Sequence, residues 1–285
     1  MLMKTIIRLL ENASVLNRTL ITAAILLSHS LSCFAQKGEL IPVADENGKW
    51  GFVDKNGKMV VSCKFDWVCT GLEVDEIPGV EPNEVICVQV ADNYGFIDRT
   101  GKEIVPCEYF VPDIVVGKCF IGGIQRVEKD DKWGAYDIQG KLVVPFEYDK
   151  MGLLSEGLMY VVKKGKYGFV DKHGKKVIPF RYDFAYPFCD GLAAVIVRDK
   201  LGFINKNGQV VIPCVYELYN EDFYGCFDNG KLVVKKNGKY GVIDNRGKVV
   251  LPCIYERIDI SGELFEICKD GKWYYVDENG KKHAR

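Results

Sequence analysis

The sequence predicts an all-β protein of tandem antiparallel β-hairpins, and three observations carry that expectation. An aromatic-glycine pair, or a variant of it, returns at Trp50, Tyr94, Trp133, Tyr167, Leu201, Tyr240 and Trp273, at intervals of 44, 39, 34, 34, 39 and 33 residues. Spacing in that range marks a repeat architecture. Seven residues after each of these positions stands a glycine: Gly57, Gly101, Gly140, Gly174, Gly208, Gly247 and Gly280. Between and around these markers run β-branched and aromatic residues in strand-length segments bounded by turn residues.

The clearest copy runs from Lys166 to Asp183. Tyr167-Gly168-Phe169-Val170 reads as a strand, and alternation sends Tyr167 and Phe169 to one face and Gly168 and Val170 to the other. Both faces are apolar, so each copy must lean on a neighbour, and the glycine leaves room for backbone or a ring to come close. Asp171-Lys172-His173-Gly174 has turn chemistry: an aspartate that bonds onward backbone N–H groups, then a glycine free to take positive φ. Val177-Ile178 begins the returning strand. Pro106, Pro145, Pro179, Pro213 and Pro252, twelve residues after the aromatic, read as strand ends that stop the ladder. Three residues on, Phe65, Tyr109, Tyr148, Tyr182, Tyr216 and Tyr255 are expected to pin the connector to the core. A third apolar run precedes each hairpin (Leu158 to Val162, Leu192 to Val197), making each copy a small meander.

The quoted residues resemble a known family. Lys49-Trp50-Gly51-Phe52-Val53-Asp54-Lys55-Asn56-Gly57-Lys58, its copies, and the Glu-Gly-Leu or Asp-Gly-Leu before the following strand are similar to the bacterial WG (KWG) repeat over about residues 40 to 282. This copy set departs from the pattern at Leu201, Asn205, Ser62 and Tyr274. The resemblance implies an all-β tandem array without known catalytic activity that mediates binding. The last copy also resembles the choline-binding cell-wall repeat, in which ligand sits between aromatic rings, although glycine stands in most copies where that family has a second ring.

The array begins with a strand before the first hairpin and ends with a hairpin's second strand, which favours an open β-solenoid or superhelix. The alternative is a six- or seven-bladed β-propeller of similar period. Two long connectors, Cys63 to Val85 and Val111 to Gly123, read as insertions on one face, often the binding face.

Residues 1 to 35 have a basic opening, an apolar run from Leu20 to Leu27 and a small-residue stretch, which reads as a signal peptide cleaved between Ala35 and Gln36. The apolar run is short of the roughly 20 residues of a spanning helix, so no transmembrane helix is expected once the signal is removed. Residues 36 to 285 then form the array of about seven copies, and the chain is expected to be exported: periplasmic, cell-surface or secreted. Of 38 basic and 39 acidic residues, the signal holds three and one, leaving 35 against 38 and a formal charge of −3. Nothing in that balance points to nucleic acid.

No catalytic constellation emerges. His29 lies in the signal, His173 in a turn and His283 in the tail, so neither a triad nor a metal set can be assembled around histidine, and no cofactor is expected. Of the eleven cysteines, Cys63, Cys107, Cys214 and Cys253 share one repeat slot with Phe146 and Phe180, while Cys69 and Cys189 read as sharing another. A slot that takes Phe as readily as Cys is a packing site. Buried free thiols are expected, with bridges between neighbouring copies the alternative.

Two binding candidates remain. One is the aromatic column Trp50, Tyr94, Trp133, Tyr167, Tyr240 and Trp273, which would offer sugar or ammonium contacts where rings are exposed and core filler where they are not. The other is a pair of lysine rows: Lys58, Lys102, Lys141, Lys175, Lys248 and Lys281 past the turns, and Lys49, Lys132, Lys166, Lys200, Lys239 and Lys272 before the aromatics. These form cationic ridges, or strand-end charges partly neutralised by the turn aspartates. The function expected is a non-catalytic exported binding or scaffold protein engaging a protein or an envelope glycan. The alternatives are an envelope glycan hydrolase using a carboxylate pair, and a structural spacer.

Overall fold

The local chemistry of the turn sets the register of every copy. In the computed structural model, which describes residues 40–69, 73–74, 85–111, 118–218, 223–261 and 264–283, the Asp171 carboxylate accepts hydrogen bonds from the backbone N–H groups of His173 and Lys175, both at 2.9 Å. The same Oδ1 pattern recurs at Asp45, Asp54, Asp98, Asp137, Asp244 and Asp277, and Asn205 reproduces it with its amide oxygen. The closing glycine takes φ of 79° at Gly57 and 78° at Gly174, the left-handed region open to glycine without steric cost. These donors hold the Asp54 carboxyl below its ordinary range, with the Lys58 N–H the largest cause and the Asn56 N–H next.

Each module is a meander of an opening, a middle and a closing strand. In the fourth module these are Leu158–Lys163, Lys166–Asp171 and Lys176–Tyr182; the fifth repeats them as Leu192–Val197, Lys200–Asn205 and Val210–Glu217. Several modules add a flanking strand ahead of the opening one, such as Lys150–Met151 and Phe184–Cys189. Pairing along the meander is antiparallel throughout, and no sheet among the described residues closes on itself. The two insertions meet in a short parallel pair, Glu73 opposite Lys118 and Val74 opposite Cys119.

The prolines do not end the returning strands. Phe169 pairs with Ile178 and Tyr167 with Tyr182, so three residues, Pro179, Phe180 and Arg181, bulge opposite the single Gly168. Proline is tolerated there because the ladder has no partner for its missing N–H. The same bulge explains the glycine of every Trp-Gly pair. A Cβ on Gly168 would lie 2.7 Å from the Ile178 carbonyl oxygen, and one on Gly51 would lie 2.6 Å from that of Val61. A bulged, proline-bearing edge strand also resists pairing with other chains.

The chain divides into two units, Met1–Phe146 and Glu147–Arg285, and within each the core is assembled from consecutive modules. In the first unit, Phe52, Val61 and Phe65 of the first module bury with Ile86, Val88 and Ile97 of the second. In the second, Phe169, Ile178 and Tyr182 bury with Ala193, Val195 and Ile204 of the fifth module. Phe203, the neighbour of Ile204, turns instead to Leu232, Val234 and Ile243 of the sixth. One middle strand thus serves two interfaces, as its alternation predicts, and each buried ring contributes about 1.5–3 kcal/mol on removal from water. The connector aromatics Phe65, Tyr109, Tyr148, Tyr182, Tyr216 and Tyr255 are all buried. No helix among the described residues is long and apolar enough to cross a membrane.

Candidate functional site

The six rings of the aromatic column are placed by the middle strands, and five of them find separate company. Trp50 packs on the cluster of Phe52 and Phe65. Tyr94 meets Trp67 edge to face at 6.3 Å, and Tyr167 lies between Tyr160 at 5.6 Å and Phe184 at 4.9 Å. Cations cover two more: the Arg126 guanidinium lies 5.4 Å from the Trp133 ring and the Lys235 ammonium 5.2 Å from Tyr240. Five of the six are half-buried, while Trp273 is 47% exposed. Burial and the neighbouring Tyr160 hold the Tyr167 hydroxyl above its ordinary pKa.

Four of the lysines before the aromatics are engaged in ion pairs, but with acids other than the turn aspartates expected to neutralise them. Lys49 pairs with Asp66 and Lys166 with Asp183, while Lys200 stands 3.8 Å from Glu217 and Lys239 3.6 Å from Glu256. These acids fall sixteen residues after the aromatic slot, an offset readable in the sequence. Three of them also cap a following turn: Asp66 accepts from the Ala91 N–H at 2.8 Å, Asp183 from Arg198 at 2.7 Å and Glu256 from Gly271 at 3.1 Å. Ala91 and Arg198 have φ of 53° and 50°, so the carboxylate secures a turn that L-residues adopt reluctantly. The turn aspartates are occupied by backbone N–H groups instead. The lysines past the turns are exposed. These turns sit on the returning strand of the preceding module, since a Cβ on Gly208 would touch Ile178 and one on Gly247 would touch Ile212. Acids accompany this edge too, with Lys206 paired to Glu156 at 2.9 Å and Lys231 to Glu278 at 3.7 Å.

The cysteine slot behaves as a packing site. The Cys107 sulfur would lie 2.7 Å from a Cβ on Gly95, and Phe180 occupies the equivalent place over Gly168. Burial pushes the Cys107 thiol up to about 11, so it is inert as a nucleophile at neutral pH. The pairing of Cys69 with Cys189 as one slot fails. Cys69 stands opposite Cys87, whereas Cys189 stands opposite Leu192, two positions away in the repeat frame. Cys189 is bonded to Cys226, 37 residues on, which realises the alternative of a bridge between neighbouring copies. Cys63, Cys107, Cys214, Cys253 and Cys268 are free thiols.

The family model for the WG containing repeat matches residues 50–69, 94–109, 133–167, 167–200, 202–240 and 240–273. The chain belongs to the WG repeat family. The matched segments start at or beside the aromatic slots, and the one WG repeat without a ring there, at Leu201, is matched from Gly202. No curated protein matches the sequence. Among solved structures, the WG array is similar to a eukaryotic initiation factor at 13% identity, over 88% of this chain and 74% of that one, with a TM-score of 0.37. It is similar to BamB from Moraxella catarrhalis at 12% identity, over 85% and 77% of the two chains, with a TM-score of 0.30. With Hsv2 from Kluyveromyces lactis the figures are 14% identity, 56% and 59% coverage and a TM-score of 0.31.

Within the second unit, the WG repeat that lacks a ring has a cleft beside it. The cleft holds about 360 Å³ and is lined by Leu201, Leu218, Phe227 and Leu232, with Tyr224, Glu217, Asp228 and Lys231 among its polar members. Sequence reading marked Leu201 as a departure from the repeat but gave no sign of the space beside it, because the walls come from the segment after Tyr216. The expected signal cleavage at Ala35 and Gln36 lies outside the described residues.

Proposed function

We propose that this WG-repeat chain is an exported, non-catalytic scaffold that engages a protein or an envelope glycan through the surface of its array. The observation that carries this reading is the division of labour within the repeat. The apolar faces are spent on neighbouring modules, as in the cluster joining Phe169 to Ala193 and Val195, while hydrogen-bonded turns, seated at Gly208 and Gly247 on the preceding module's returning strand, leave the lysine past each turn exposed. A rigid, repeated edge is a surface suited to binding. Export is supported by the N-terminal sequence and by the Cys189–Cys226 bond, since disulfides persist in oxidising compartments.

The test is affinity capture from envelope extract with the purified full-length mature chain. A protein or glycan retained after a high-salt wash is the expected result, and protease or glycosidase treatment of the eluate tells which. Incubation with cell-wall fragments is the companion measurement: release of soluble sugar products would replace the scaffold with the hydrolase. Nothing retained from any envelope fraction would leave only the spacer.

A further inference from the structure

The fifth WG repeat departs from its neighbours in three ways that meet at one place. Its slot ring is replaced by Leu201, which is 4% exposed and lines the cleft. The chain after Tyr182 forms the flanking strand Phe184–Cys189, whereas the described residues 223–227 after Tyr216 form none. They fold over the module instead: the Phe223 and Phe227 rings lie 6.5 and 4.8 Å from Phe203. Finally, the Cys189–Cys226 bond ties this segment to the preceding flanking strand, so the wall is held covalently as well as by packing.

Among the charged residues that line the cleft, two acids, Glu217 and Asp228, stand against one lysine, Lys231. Glu217 has Lys200 at 3.8 Å. The one lysine in the lining, Lys231, has its ammonium 3.7 Å from Glu278 and 5.4 Å from the Phe265 ring, so its charge is already answered. Tyr224, 79% exposed, offers an additional ring at which a cation is attracted. A volume of about 360 Å³ is at the small end of ligand sites, which run from about 300 to 1,000 Å³, and suits one large side chain.

We propose that the cleft beside Leu201 is a docking pocket for a partner-protein segment in which a large apolar side chain is flanked by lysine or arginine. The apolar group fills the space that a tyrosine or tryptophan occupies in the other modules, and the flanking cations meet Glu217 and Asp228. This rests on the scaffold reading and names one of its contacts.

The experiment is fluorescence anisotropy of a labelled peptide, Lys-Lys-Phe-Lys-Lys, against the full mature chain. Binding is expected to weaken with added salt and to vanish for Glu-Glu-Phe-Glu-Glu. Leu201→Trp restores the ring of the other repeats and is expected to weaken binding about tenfold or more, in the range a mismatched apolar pocket imposes. Should that variant fail to fold, Tyr224→Ser changes an exposed ring and is expected to weaken binding a few-fold. The pocket is refuted by equal binding to wild type and Leu201→Trp, by equal binding of the acidic peptide, by no binding at all, or by a free aromatic amine binding as tightly as the peptide. Envelope capture run with both chains separates the two levels. A partner retained equally by wild type and Leu201→Trp sinks the pocket and leaves the scaffold standing, whereas retention by neither sinks the scaffold.

Discussion

The fourth and fifth modules share their register residue for residue and differ in what surrounds it. Phe169 pairs with Ile178 as Phe203 pairs with Ile212, Tyr167 faces Tyr182 as Leu201 faces Tyr216, and both closing strands bulge opposite a glycine. Yet Tyr167 is boxed by Tyr160 and Phe184, while Leu201 has a cleft beside it and a disulfide-tethered segment beyond. The parts that bury modules against each other are held constant. The variation lies in the slot ring and the connector, where a change alters a surface without unseating the stack.

If that division is right, the largest loss should come from the shared part. Phe169→Ala empties a site that is fully buried between two modules, and a cost of about 3–5 kcal/mol is expected, read as a fall in the denaturant midpoint. Phe203→Ala should cost about as much. A loss below about 1 kcal/mol for either would mean that the modules do not depend on each other's rings.

The disulfide is next, and it ties the flanking strand ahead of the fifth module to the segment that follows that module. Cys226→Ser opens a link spanning 37 residues, for which the chain-entropy account gives about 3–4 kcal/mol. Reductant should lower the stability of wild type by a similar amount and leave Cys226→Ser unchanged. Equal sensitivity to reductant in the two chains would show that the Cys189–Cys226 bond is not the one being read.

Gly168→Ala and Gly202→Ala sharpen the comparison from the other side. The added methyl would stand 2.7 and 2.6 Å from the carbonyl oxygens of Ile178 and Ile212, so strand backbone must shift, at about 1–3 kcal/mol each. The two modules should respond alike, because the bulge is common to both. A harmless Gly202→Ala beside a damaging Gly168→Ala would mean that the fifth module has relaxed its bulge as well as its ring.

Much of this was legible in the sequence because it is backbone chemistry. Asp171 and Gly174 announce the turn they make, and the alternation of Phe169 and Val170 announces a strand buried on both faces. The rest depended on where chain segments meet. Lys150–Met151 is too short to carry a period, so the flanking strand left no pattern. Pro179 reads as a strand end by its lost N–H, yet it sits in a bulge where that N–H has no partner. The acids at Asp66, Asp183 and Glu256 recur at a fixed offset, but an offset does not say which lysine they reach. The cleft at Leu201 was out of reach altogether, since its walls are a property of packing.

The smallest effect separates the turn caps from the core. Asp183 accepts from the Lys166 ammonium and from the Arg198 N–H, and these hold its carboxyl below the ordinary aspartate range, the lysine hydrogen bond being the largest cause. A carboxyl whose pKa is lowered on folding stabilises the fold above its unfolded pKa, near 4, and loses that contribution as the pH falls through the folded value. Asp183→Asn should therefore melt slightly below wild type at pH 7, and the gap should close on acidification to about pH 2–3. The gap should also shrink with salt, because both partners are solvent-exposed. A gap that persists at low pH would assign Asp183 a packing role in place of a charged cap. The flanking strand it precedes, Phe184–Cys189, would then owe its position to shape alone.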